Sequence, residues 1–181
     1  MINGSKIILR DKSLADALDD YTWQTDPELA HLDAAPLPTI TFREYLSDYT
    51  SQLRYLLSTR RQFAIDTLDG KHIGNCVYYG VNKTKGEAEL GIMIGNSKYW
   101  NNGYGTDVVT TLLNYVFRET KLNRIYLKTL QSNTRAQQCF KKAGFIPCGR
   151  MVRDGFEFLL MEIHRRQWEE QHQFPEAKTL P

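Results

Sequence analysis

The order of elements along the chain predicts an α/β (α+β) domain: a mixed, mostly antiparallel sheet of about six to seven strands, with helices on both faces. Three observations carry this reading. Alternating apolar stretches meet at Asp69-Gly70 and again at Asp154-Gly155, and each dipeptide is a hairpin signal. Between residues 87 and 130 a strand, a helical pattern and a second strand follow one another, which demands a crossover and therefore a parallel pair. Helical spacing also recurs in separate blocks, so the helices are distributed among the strands.

Taken in order, residues 6–10 form the first strand, with Ile7 and Leu9 on one face and Ile8 on the other. Asp11 and Ser13 supply N-cap oxygens ahead of Leu14, Ala17, Leu18 and Tyr21, which recur at helical spacing. Residues 25–38 read as a loop, marked by Pro27, Pro36 and Pro38. Thr41 and Glu44 make a capping box for an amphipathic helix carrying Phe42, Tyr45, Leu46, Tyr49, Leu53 and Leu56. Strands follow at 63–67, 73–81 and 87–94. After Gly103 and Gly105 the spacing turns helical through Val109, Leu112, Leu113, Val116 and Phe117. Residues 124–130 are a strand, parallel to 87–94. A helix over 133–143 is closed by Gly144 as a left-handed C′ residue, and the last hairpin pairs 146–152 with 156–163. The domain spans 1–164; residues 165–181 read as a polar surface tail.

Composition narrows the class. A chain of 181 residues and 21.0 kDa is one domain, and 41% hydrophobic residues suffice for a core. A net charge of +2 argues against a nucleic-acid partner, and Arg165 and Arg166 are followed at once by Glu169, Glu170 and Glu176. No apolar run approaches the roughly 18 residues of a membrane span, and the N-terminus has no signal-peptide core. Cys76, Cys139 and Cys148 are few and odd in number, which fits a reduced, cytoplasmic interior. His72 and Cys76 share a strand face, but no second pair completes a metal site, so no metal is expected. Gly95 to Tyr99 fails the Gly-x-Ser-x-Gly nucleophile elbow at its last position.

The most informative stretch runs Tyr99-Trp100-Asn101-Asn102-Gly103-Tyr104-Gly105-Thr106 between a strand and a helix. Unpaired N–H groups at that helix start, the dipole behind them and two glycines suit a phosphate or a tight packed turn. It is neither a Walker A loop nor a Rossmann fingerprint: Gly70-Lys71 leads into His72, and Val108 stands where a third glycine is required. One strand further on come Asn133-Thr134-Arg135-Ala136, Phe140, Lys142 and Ala143-Gly144-Phe145. Together the two stretches resemble the sequence blocks of the Gcn5-related N-acetyltransferase (GNAT) superfamily. These are Gln/Arg-x-x-Gly-x-Gly/Ala and Asn-x-x-Ala-x-x-x-Tyr-x-Lys-x-Gly-Phe. Ala88-Glu89-Leu90-Gly91 and Tyr99-Trp100 are similar to the branch that holds ribosomal-protein N-terminal acetyltransferases and their small-molecule relatives.

The resemblance implies acetyl-CoA as co-substrate, bound where the fourth and fifth strands of the superfamily sheet splay apart. Its pyrophosphate would meet the amides of Asn101, Asn102, Gly103, Tyr104, Gly105 and Thr106, and its pantetheine arm would pair with backbone at Met93 and Ile94. Asn133, Phe140 and Lys142 complete the cofactor set, with Asn133 touching pantetheine or a water. The acceptor would be a primary amine on a protein N-terminus or a small molecule, and a homodimer is one allowed assembly. An alkyl amine titrates at about 10, so a base is needed near neutrality; Glu89 is the candidate and Glu87, on the same strand face, its competitor. Backbone N–H near Met93 or Ile94 would receive the oxyanion. Two positions depart from the pattern. Phe140 stands where many members have a Tyr near the sulfur, leaving water, Ser132 or Tyr104 to protonate the thiolate. Trp100 replaces the first-block Gln/Arg, which removes one anion contact. An acyl-CoA-binding or regulatory module without catalysis is the alternative reading.

Overall fold

The computed structural model describes residues 1–55 and 59–172 and confirms the α/β architecture. Its elements are β1 (Ile2–Asn3), β2 (Ile7–Arg10), α1 (Ala17–Gln24), α2 (Pro27–Leu32), α3 (Phe42–Arg54), β3 (Arg60–Thr67), β4 (His72–Asn82) and β5 (Glu87–Ile94). There follow α4 (Tyr104–Glu119), β6 (Arg124–Leu130), α5 (Thr134–Lys142), β7 (Ile146–Arg153), β8 (Phe156–His164) and α6 (Arg165–His172). The sheet has eight strands in the order β1-β2-β3-β4-β5-β6-β8-β7, not six to seven. The extra one, β1, is two residues long, too short to leave a period-two signature. Every neighbouring pair is antiparallel except β5 with β6.

Period-two alternation gives the sheet two different faces. On one, Ile7, Leu9, Ala88, Leu90, Ile125 and Met161 meet Val108, Val109, Leu112, Leu113 and Val116 of α4 in the main core. Many of these side chains are fully buried, each contributing about 1.5–3 kcal/mol of transfer free energy. On the other face, α1 and α3 pack together through Ala17, Tyr45 and Tyr49. There α1 meets the sheet through charge: Arg10 grips Asp16 (2.7 Å) and Asp66 (2.6 Å), and Lys12 meets Asp20 (2.6 Å). Asp20 also accepts from Asn75 (2.7 Å) and Tyr49 (3.0 Å).

Two expectations need correction. The stretch 25–38 contains α2: the Asp26 carboxylate accepts from Glu28 N–H and Leu29 N–H, and Pro27 occupies the first helical turn. A proline there begins a helix, because its missing N–H would have had no partner anyway. The supposed polar tail begins with α6. Its Trp168 is buried beside Phe117, with ring centroids 5.5 Å apart, and donates to Asn114 (2.8 Å). Arg165 meanwhile donates to the Phe117, Thr120 and Leu122 carbonyls at the end of α4. One buried indole and one guanidinium anchor a segment whose composition is otherwise polar. Residues 173–181 and Leu56 lie outside the described residues.

Candidate active site

β5 and β6 pair only at Glu87 with Arg124, Ala88 with Ile125 and Glu89 with Tyr126. Beyond Glu89 each strand keeps its outer neighbour, β5 with β4 to Ile94 and β6 with β8 to Leu130, and the two part. The expected splay is therefore present, one strand later in the count because of β1. Both helices that follow these strands, α4 and α5, start at the opening. A crevice at the carboxyl ends of parallel strands is where α/β sheets bind ligands. Here it is a cleft of about 710 Å³, floored by β5 and roofed at one end by Leu29, Leu32 and Asp33 of the α2 region.

The splay leaves one backbone edge of β5 without a strand partner. Ile94 C=O accepts from the Trp100 indole N–H (2.7 Å), so it faces away from β4, whereas Gly95 N–H reaches Ile73 on β4 (2.9 Å). Alternation along a strand then turns the backbone groups of Ile92 and Ile94 toward the cleft and those of Met93 toward β4, where Met93 is in register with Asn75. The expectation of Met93 as a backbone partner is corrected on this ground. Met93 lines the cleft through its side chain, beside Glu89 and Gly91 on the same strand face.

Of the loop residues, Asn101, Gly103, Gly105 and Thr106 line the cleft, whereas Asn102 and Tyr104 do not. Asn102 C=O accepts from Lys6 Nζ (3.0 Å), and the Tyr104 ring packs edge-on against Tyr99 (5.0 Å) under that lysine. The Asn102 side chain donates from Nδ2 to Lys98 C=O (3.2 Å), so neither side chain is engaged in the cleft. Gly103 is the N-cap of α4 with φ +81°, a left-handed conformation that side chains resist. Asn101 adopts φ +60°, which asparagine tolerates better than most residues.

From α5, Asn133, Phe140 and Lys142 all reach the cleft. Asn133 caps the helix, its Oδ1 accepting from Ala136 N–H (3.1 Å). Phe140 is buried against Phe145, with centroids 5.9 Å apart. Neither hydroxyl offered as a substitute acid sits with it: Tyr104 is packed as above, and Ser132 lines a separate cavity of about 420 Å³ beside His31 and Phe156. Cys139 lies next to Phe140, and burial raises its thiol above the ordinary range, so it stays protonated.

The two carboxylates on β5 are separated cleanly. Glu87 is held by Arg124 (2.7 Å), which also binds Glu162 (2.6 Å), and it lies outside the cleft. Glu89 is 7% exposed, lines the cleft and sits 3.1 Å from Lys128 Nζ. The Tyr79 hydroxyl hydrogen-bonds Glu89; burial first, and that bond next, raise the Tyr79 pKa, keeping the phenol protonated. Tyr78 packs on the opposite face against the core, so one ring of the pair lines the cleft.

Sequence reasoning missed Lys128, Asp33 and Arg135. Lys128 alternates correctly on its strand but carries no motif; for the Tyr78-Tyr79 pair, alternation allowed at most one ring in the cleft without saying which. Asp33 lies in the stretch taken for a loop. Arg135 sits inside the second block, 3.4 Å from the Trp100 ring centroid, and nothing within the block marks it as a residue of the cleft.

Comparison with known proteins places the family and the fold. The acetyltransferase (GNAT) domain model matches residues 6–146. The chain is 24% identical over 141 residues to uncharacterized N-acetyltransferase p20 of Bacillus licheniformis, spanning 77% of this chain and 79% of that one. Among solved structures it is similar to spermidine N-acetyltransferase from Vibrio cholerae in complex with CoA and spermine. There the TM-score is 0.81 at 19% identity, over 91% of this chain and 98% of that one. It is likewise similar to aminoglycoside acetyltransferase AAC(6')-Ib with coenzyme A and kanamycin, with TM-score 0.75 and 22% identity over 92% and 99% of the two chains. At such identities these likenesses establish the fold. The relatives with named acceptors are spermidine and aminoglycoside acetyltransferases, and the ribosomal-protein branch finds no support among them.

Proposed function

The chain belongs to the GNAT acetyltransferase family, and from that premise we propose that it is an acetyl-CoA-dependent N-acetyltransferase whose acceptor is a small-molecule amine. One observation carries the reading. The parallel pair stops at Glu89, so a buried carboxylate stands on the last shared rung, directly beside an unpaired backbone edge.

The residues suit the donor. Ile92 and Ile94 offer backbone N–H groups on the open edge, the mode by which an extended amide chain adds to a sheet. The Gly103 turn presents the start of α4 to a phosphate, and Arg135 and Lys142 supply positive charge. On the acceptor side, Asp33 lines the cleft; its backbone N–H bonds Leu29 C=O (3.0 Å), while its carboxylate has no hydrogen-bond or ion-pair partner among the described residues. It is free to receive an ammonium group.

The chemistry is direct attack. The amine nitrogen bonds to the thioester carbonyl carbon as its proton passes, through water, to Glu89, which Lys128 and Tyr79 hold in place. N–H groups of the β5 edge stabilise the tetrahedral oxyanion. The C–S bond then breaks, and the departing thiolate takes a proton from water. CoA thiol lies close to cysteine's pKa of about 8.5, so departure without a protein acid is feasible.

The test is CoA-thiol release from acetyl-CoA against a panel comprising a linear polyamine, an aminoglycoside and a peptide with a free N-terminus. Turnover with the small amines, and a raised KM in Asp33→Asn, is expected. Preference for the peptide would restore the ribosomal-protein reading. CoA binding with no thiol release across the panel would leave a binding module.

A further inference from the structure

Arg135 pays twice for its position. It lies in the first turn of α5, where the helix dipole disfavours a cation. Burial also lowers its pKa, against which Glu28 of α2 offers only a distant charge. No carboxylate among the described residues forms an ion pair with it. Among the described residues its close partner is the Trp100 ring: the guanidinium carbon lies 3.4 Å from the ring centroid, a separation that fits stacking on the indole face. Stacking in that way satisfies the face of the guanidinium and leaves its in-plane N–H fork unused. The platform is itself fixed, because the indole N–H is bonded to Ile94 C=O. A preorganised, half-desolvated cation with spare donors thus lines the cleft at the loop that leads into α4.

Resting on the acetyl-CoA reading above, we infer that Arg135, stacked on Trp100, is the residue that binds the diphosphate of the acyl donor. The guanidinium is delivered from α5 to the loop, with Trp100 as its support. A diphosphate meets both of the costs at Arg135: it supplies the missing counter-charge and accepts the free fork in bidentate geometry. The assignment also explains why an aromatic residue at position 100 is compatible with donor binding. The residue there does not contact the anion; it positions the one that does.

Calorimetric titration of the full chain and of Arg135→Gln and Arg135→Lys with CoA, dephospho-CoA and pantetheine tests this. In Arg135→Gln, affinity for CoA and for dephospho-CoA should fall alike, on the order of tenfold, with pantetheine unaffected. Arg135→Lys, which keeps the charge and loses the fork, should fall in between. Wild-type CoA affinity in a folded Arg135→Gln protein would overturn the assignment. So would a loss that disappears with dephospho-CoA, which would move Arg135 to the ribose phosphate, or an equal loss with pantetheine, which would make its role purely structural. If the wild-type chain bound none of the three, the acetyl-CoA reading itself would fall.

Discussion

Glu87 and Glu89 are two residues apart on one strand face, yet their surroundings assign them different work. Glu87 is spent on Arg124 and helps tie β5 to β6 and β8. Glu89 sits in the cleft between Lys128 and Tyr79. With Glu89 as the proton acceptor, Glu89→Gln should lower kcat on the order of 10²-fold near neutral pH. The deficit should narrow at high pH, where the amine is already neutral. Glu87→Gln should keep kcat and lose stability instead; a pH–rate profile of both variants with urea titration separates them. Phe140 sets a second expectation. Because the Tyr104 and Ser132 hydroxyls lie outside the cleft lining, Tyr104→Phe and Ser132→Ala should leave single-turnover acetyl transfer unchanged. A slowed transfer with intact CoA affinity in either variant would identify a protein acid after all.

At the scale of elements, α1 is held to the sheet largely by charge, beside the packing of Trp23 on His72. Burial works against ionising Asp16, but hydrogen bonds from Arg10 and Ser13 N–H and the charge of Lys12 outweigh it and hold its pKa at about 2. Asp20 is lowered too: burial opposes its ionisation, while His72, Lys12 and Asn75 prevail. Carboxyls depressed in the folded state bind fewer protons there than in the unfolded chain. Their contribution is therefore complete above the ordinary carboxylate range near 4 and is lost as pH falls toward about 2. Urea midpoints should drop across that window. Asp16→Asn should cost about 3 kcal/mol at neutral pH, by leaving Arg10 short of a partner in a buried site, and should flatten the acid dependence. The docking of α6 follows a different physics. Trp168→Ala should cost about 3–5 kcal/mol through the cavity left beside Phe117, read as a lowered thermal midpoint.

For the whole molecule, the site belongs to no single element. The cleft is lined from β5, β6, α2, α4, α5 and the last hairpin, and it joins both halves of the sheet. A ligand that bridges them must stabilise the native state as a unit. Acetyl-CoA at a hundred times its Kd should add about 2.7 kcal/mol to unfolding, seen as one cooperative transition shifted upward. Two transitions, or a shift confined to one probe, would mean that the halves unfold separately. If the donor rests on the loop before α4, Gly103→Ala should reduce that shift, since a side chain at φ +81° strains that loop.

Local chemistry made much of this legible from the chain alone. The capping box at Thr41, the cap at Asn133, the left-handed Gly144 and the hairpin turns are settled by residues within a few positions of one another. So were the two blocks that flank the cleft, because a loop between a strand and a helix start concentrates its donors in one stretch of sequence. Tertiary structure decided whatever depends on residues distant along the chain. It placed Glu89 in the cleft and Glu87 outside, since only the end of the β5–β6 ladder distinguishes neighbours on one face. It turned the backbone groups of Ile92 and Ile94, not those of Met93, toward the open edge of β5, because the direction of a backbone group depends on which strand has left. It brought Arg135 onto Trp100 across 35 positions, and buried Trp168 in a segment whose average composition is polar. A periodic pattern records which side of an element is wet. It does not record which partner fills the dry side, and at this site the partner determines the chemistry.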